Sequence, residues 1–105
     1  MVIYNVTVSI DENVAEDWLK WMRETHIPDV MNTGHFKESR LCRVHGEEEG
    51  GVTYAITYLS YSEDELNKYQ ATHAPRLQAE HNEKFGGKFA AFRTLLSVLD
   101  EFKDE

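Results

Sequence analysis

The chain is poor in cysteine, proline and basic residues. Of its 105 residues one is cysteine and two are proline, and 11 Lys and Arg stand against 19 Asp and Glu, for a formal net charge of −8. One thiol, Cys42, cannot close an internal disulfide, so the sequence predicts a reducing, cytoplasmic setting. Nothing in the pattern around Cys42 would activate it, and an inert thiol is expected. The few cations do not cluster, which argues against nucleic-acid backbones and anionic membranes as partners. No apolar run approaches the ~20 residues that cross a bilayer. The opening MVIYNVTVSI has no basic stretch and no small-residue cleavage site, so no signal peptide is expected. Phosphate-loop, nucleophile-elbow and dinucleotide patterns are missing, as are closely spaced His and Cys pairs. No cofactor and no metal site are therefore expected.

What the chain does hold is enough for one small domain. Its apolar share is 41 %. A chain of this length buries roughly 60–70 % of its unfolded surface when it folds alone, so sharing surface with a second copy would help it.

Residues 2–10 alternate strictly. Val2, Tyr4, Val6, Val8 and Ile10 fall on one side and Ile3, Asn5, Thr7 and Ser9 on the other, the signature of a strand with one apolar face. Asn13 is placed to cap a helix, with Glu16 closing a capping box. Val14, Trp18, Met22 and His26 then recur at helical spacing, with Leu19 and Trp21 beside them. Pro28 disfavours helix at Ile27, so this helix is expected to break at His26-Ile27-Pro28, turn once more through Met31 and stop at Gly34. A second strand is predicted over 35–45, with Phe36, Glu38, Arg40, Cys42 and Val44 on one side; its charges suggest an edge. Gly46 to Gly51 form a polar loop, and 52–61 read as a third strand with Val52, Tyr54, Ile56 and Tyr58 on one face.

Ser62 and Glu65 form a helix start. Leu66, Tyr69 and His73 follow at helical spacing; Pro75 interrupts, Thr72 is placed to cap the continuation, and Leu77, His81 and Phe85 lead to a stop at Gly86-Gly87. A fourth strand is predicted over 88–99, with Ala90, Phe92, Thr94, Leu96 and Val98 against the helices. Residues 100–105 form an acidic tail, expected to fray.

The order βαββαβ makes two strand–helix–strand crossovers. Laid side by side they give an α+β, ferredoxin-like domain spanning residues 1–105: a four-stranded antiparallel sheet with its helices on one face. The uncovered face is expected to carry Asn5, Thr7, Ser9, Phe89, Arg93 and Leu95. Such a mixture suits packing against a copy of itself about a twofold axis, so the expected partner is self, as a homodimer.

The topology, with the tryptophan-rich first helix running into Trp21 and His26-Ile27-Pro28, resembles the dimeric α+β-barrel superfamily. That group includes cofactor-free monooxygenases, EthD-like proteins and mutarotases. More closely, IYNVTV, GEEEGGVTYAITY and HAPRLQAEHNEKFGGKFAAFRTLL resemble a family of short bacterial proteins of unknown function. The resemblance covers nearly the whole chain. It implies the fold and the dimer, and it carries no known activity.

In several barrel proteins of that superfamily a histidine near the end of this helix lines the cavity between helices and sheet. His26 is accordingly the candidate catalytic residue, a general base or a hydrogen-bond donor; its plainer role is to cap the helix C-terminus. Trp18, Trp21, Met22, Tyr54, Tyr58, His73 and Arg93 are the candidate ligand-binding residues. Tyr4 belongs with the aromatic set, which would equally fill an ordinary core. Arg93 within a sheet calls for a carboxylate, a ligand anion or a partner chain. His73 and His81 are too far apart for one metal and are expected at the edge of the helix–sheet interface. Phe85 to Phe92 resemble an RNA-binding strand motif, but on the wrong strand and without a basic field. Three functions remain: a homodimeric small-ligand-binding protein, a cofactor-independent oxygenase or isomerase using His26, and a non-catalytic interaction module.

Overall fold

The computed structural model describes residues 1–46 and 48–104. Glu47 of the expected loop and Glu105 of the expected tail lie outside the described residues. The elements are β1 (Val2–Asp11), α1 (Ala15–Trp21), a π-helical segment (Met22–His26), α2 (Ile27–Met31), β2 (Phe36–Arg43), β3 (Gly51–Ser60), α3 (Glu63–Thr72), α4 (Ala74–Phe85) and β4 (Phe89–Ser97). The sheet order is β2-β3-β1-β4 with every neighbour antiparallel, the ferredoxin-like arrangement. Each strand ends within two residues of its expected boundary, and β2 is an edge.

The core lies between the helices and one sheet face. Ile10, Ile56 and Tyr58 rise from the sheet to meet Trp18 of α1, Leu66 of α3 and Leu77 of α4, all of them essentially out of water. Tyr4, Phe36, Tyr58 and Tyr69 pack as an aromatic group; Phe36 and Tyr69 meet edge to face at 4.7 Å.

Local chemistry sets the helix ends. The Ser62 hydroxyl accepts from the Glu65 amide at 3.1 Å, the expected cap of α3. Gly34 and Gly87 adopt φ of +82° and +80° at the helix stops. Two expected caps are corrected. Asn13 does not cap α1; the Asp11 carboxylate instead accepts from the Asn13 amide at 2.8 Å, holding the turn from its front edge. Thr72 does not cap α4; it ends α3, and His73 forms the junction without a side-chain cap. Pro75 then stands in the first turn of α4, where its missing N–H leaves nothing unpaired.

The expected break at Pro28 is not a break. The backbone remains helical from α1 into α2, and the Ile27 amide reaches back to the Met22 carbonyl. This wider turn accommodates a proline that has no amide to give and would crowd the carbonyl behind it.

Two strand faces also differ from expectation. β4 pairs with β1 as Val8↔Ala91, Val6↔Arg93 and Tyr4↔Leu95, so Phe89, Ala91, Arg93 and Leu95 face the helices. Ala90, Phe92, Thr94 and Leu96 lie on the open face beside Ser9, Thr7, Asn5 and Ile3. The assignment of Phe89, Arg93 and Leu95 to the open face is therefore inverted. β4 carries apolar residues at both parities, so alternation alone does not orient it. In β2 a bulge between Phe36 and Glu38 turns Phe36 into the core, away from the face shared by Glu38, Arg40 and Cys42.

Candidate functional site

A cavity of about 60 Å³ lies between the helical layer and the sheet. Val6, Val8 and Ile56 floor it, Met22 and His26 of the π segment form one wall, and Leu77 and His81 of α4 form another. The widened turn before Pro28 carries His26 to this wall. Arg93 lines the cavity while remaining exposed on the outermost strand, which places it at the mouth.

His26 stacks on Trp21 with ring centres 5.0 Å apart, and its Nδ1 is buried with no hydrogen-bond partner among the described residues. Burial, then the Arg93 guanidinium, lower its pKa from 6.5 to about 4. His81 stands 5.7 Å from it, ring centre to ring centre. The Trp18 indole N–H donates to His81 Nε2 at 2.9 Å, which puts the single hydrogen of the neutral ring on Nδ1. Burial, then His26, then Arg93 lower the His81 pKa to about 4 as well. Both rings are therefore neutral at pH 7.

The remaining polar groups are hydroxyls, the Gln78 amide and the guanidinium. Burial, followed by neighbouring tyrosines, pushes the Tyr58 and Tyr69 hydroxyls well above the usual phenol range, so they stay protonated donors. Arg93 Nε donates to the Tyr4 hydroxyl at 3.0 Å, which leaves the Tyr4 hydrogen for another acceptor.

Of the residues singled out in the sequence, His26, Met22, Tyr4, Tyr58 and Arg93 line this cavity. Trp18 and Tyr54 do not; they pack together behind the wall at 5.1 Å, and Trp18 acts through His81. Trp21 supports His26 from behind. His73 is elsewhere, 5.5 Å from the ring of His35. There His35 Nδ1 meets a Glu65 carboxylate oxygen at 2.6 Å, tying the chain before β2 to α3. That bond is the main reason the Glu65 carboxyl lies below its ordinary range.

Sequence reasoning missed Tyr69, Gln78 and His81 as lining residues. The spacing of His81 with Leu77 and Phe85 already set it on the buried side of α4. Gln78 carries no signal. Among the described residues no three His, Cys, Asp or Glu side chains gather to hold a metal, and Cys42 is exposed.

Comparison with known proteins agrees with this architecture. A dimeric ferredoxin-like protein from an uncultured marine organism superposes with a TM-score of 0.76 at 17 % identity, covering 99 % of this chain and 100 % of that one. A heme-degrader from Mycobacterium tuberculosis, with two hemes bound in its active site, gives 0.70 at 13 % identity over 98 % and 100 %. A cofactor-independent oxygenase from Streptomyces nogalater gives 0.68 at 11 % identity over 98 % of each chain. At these identities the likeness is one of fold. No curated protein sequence matches significantly. The model of a family described as a domain of unknown function, DUF4286, matches residues 1–99, and the chain belongs to that family.

Proposed function

We propose that this member of the DUF4286 family is a homodimer joined through its open sheet faces, and that each protomer binds a small molecule in the cavity beneath the π segment. The observation that carries the binding reading is His26: a half-buried, neutral ring whose buried Nδ1 has no partner among the described residues, set in a cavity wall beside a second neutral histidine. A buried polar nitrogen without a partner is costly unless something completes it. Support for the dimer comes from the open face. On that face Ile3, Asn5, Thr7 and Ser9 of β1 and the residues paired with them on β3 and β4 are all uncharged, although 29 % of the chain is charged. Phe92 is 63 % exposed there. The marine neighbour is itself dimeric, and the mycobacterial and streptomycete neighbours are a heme-degrader and an oxygenase. A reducing, cytoplasmic setting suits the single exposed thiol; among the described residues no helix is long and apolar enough to cross a membrane.

A second reading, a cofactor-independent oxygenase or isomerase acting on a small aromatic or enolisable substrate, is favoured by the same Nδ1, without a partner among the described residues, which can take a proton when the ring hydrogen sits on Nε2. A base whose pKa is about 4 is weak at neutral pH, however, and works well only if bound substrate raises it. The binding reading therefore comes first. The test is to purify the protein from its native host and weigh it under native conditions. A mass of two chains plus a small adduct that His26→Ala diminishes supports the reading; a bare single chain sinks it. Turnover that disappears in His26→Ala would instead select the second reading. A cavity that takes up no small molecule would leave a non-catalytic interaction module.

A further inference from the structure

We propose that the cavity selects a small organic anion, a carboxylate or an enolate, held at its mouth by Arg93 and the Tyr4 hydroxyl. This rests on reading the cavity as a ligand site and names the chemical class that site takes.

The first support is what the lining omits. The chain has 19 acidic residues, yet among the described residues no Asp or Glu lines the cavity, and the one formal charge in the lining is the Arg93 guanidinium. Among the described residues no carboxylate pairs with Arg93, while Lys68 with Glu65 and Arg76 with Glu80 pair along the surfaces of α3 and α4. An acidic protein that leaves an arginine unneutralised at a cavity mouth has left a place for an outside anion.

The geometry fits that occupant. Arg93 spends Nε on Tyr4 at 3.0 Å, so its two terminal nitrogens are left to meet a planar carboxylate end-on. Tyr4 accepts from Arg93 and its own hydrogen is available to the same oxyanion. Deeper in, the protonated Tyr58 and Tyr69 hydroxyls and the Nδ1–H of His81 are further donors. A cationic ligand would meet the guanidinium and find no counter-charge.

Size narrows the class. At about 30 Å³ per water in the liquid, 60 Å³ is room for about two waters. The occupant is therefore a short acid, or one whose apolar end stays in the mouth. Leu95 stands on the same strand face as Arg93 and is 55 % exposed, a resting place for such an end.

The test uses matched acids and amides that differ in charge and hardly in shape: propionate against propionamide, and benzoate against benzamide. Each is titrated at pH 7 and low salt into the intact protein, followed through the His26 and His81 ring signals by NMR. The expected result is at least tenfold tighter binding of each acid than of its amide. Arg93→Gln should remove that preference while the variant keeps the wild-type circular dichroism spectrum, since the residue is exposed on an edge strand. Arg93→Lys should restore it in part. Acids and amides binding equally would overturn the anion proposal and leave the ligand site standing. A preference that survives Arg93→Gln would overturn it too. Silence from all four compounds would sink both the proposal and the ligand reading beneath it.

Discussion

The indole N–H of Trp18 on α1 donates to Nε2 of His81 on α4, across the core and shielded from water. A tryptophan that could be taken for a pocket wall is thereby the group that selects the tautomer of a histidine in that wall. Trp18→Phe keeps an aromatic ring but removes the donor and some volume. We expect a loss of about 2–4 kcal/mol, from the unsatisfied nitrogen and the partial void. Urea unfolding measures the loss, and long-range ¹⁵N–¹H correlation of His81 should show a tautomer mixture in place of Nδ1–H alone. A stable variant with an unchanged tautomer would refute the assignment.

Stability should fall on mild acidification. The pKa values of His26 and His81 are near 4 in the fold and 6.5 unperturbed. Between those values the unfolded chain binds more protons, so stability is fully present above 6.5 and is lost as pH falls toward 4. The groups facing the pair are Arg93, each other, and tyrosines; among the described residues no carboxylate lines the cavity to reverse the sign. Urea unfolding at pH 7.5, 6 and 5 should show a dependence approaching two protons. The double variant His26→Gln, His81→Gln should flatten it. Glu65 and Glu48, whose carboxyls are lowered by hydrogen bonds, contribute in the same direction only below their ordinary range.

Phe92 offers the direct test of the dimer. It lies on the open face opposite Thr7 and is 63 % exposed, so a charge there costs the isolated fold little. Phe92→Glu should turn a two-chain species into a single chain in light scattering, with an unchanged circular dichroism spectrum. A wild-type protein that is already a single chain at 0.1 mM, a concentration on the order of a weak dimer's Kd, would exclude a stable pairing.

Two glycines separate strain from collision. Gly34 has φ of +82° and open space around an added Cβ, so Gly34→Ala should cost only about 1 kcal/mol. At Gly86 a Cβ would sit 2.5 Å from the Asn82 carbonyl oxygen, a backbone atom of α4 that cannot step aside cheaply. Gly86→Ala should cost about 2 kcal/mol or more, shift the start of β4, and loosen the seat of Arg93. Equal midpoints for the two variants would contradict this.

The elements were legible because their signals are local. Strict alternation over β1 and the Ser62–Glu65 cap each mark structure without knowledge of what lies across the core. The cavity was legible in part: the spacing of Met22 and His26 sets both on the buried side of their helix. His81, Tyr69 and Gln78 were not, because their role comes from a facing strand and helix far away in the chain. Tyr4 meets Arg93 across 89 positions of sequence, and Trp18 meets His81 across 63.

The one-dimensional pattern by itself determined the α+β class, the element order and the choice of an apolar face on β1 and β3, since periodicity and capping act over a few residues. Only the assembled protein decided which side of β4 looks inward. Its apolar residues occupy both parities, and hydrogen-bond register with β1 broke the tie. That decision moved Arg93 from the open face to the mouth of the cavity. It also left Phe92 as the exposed ring on the other side.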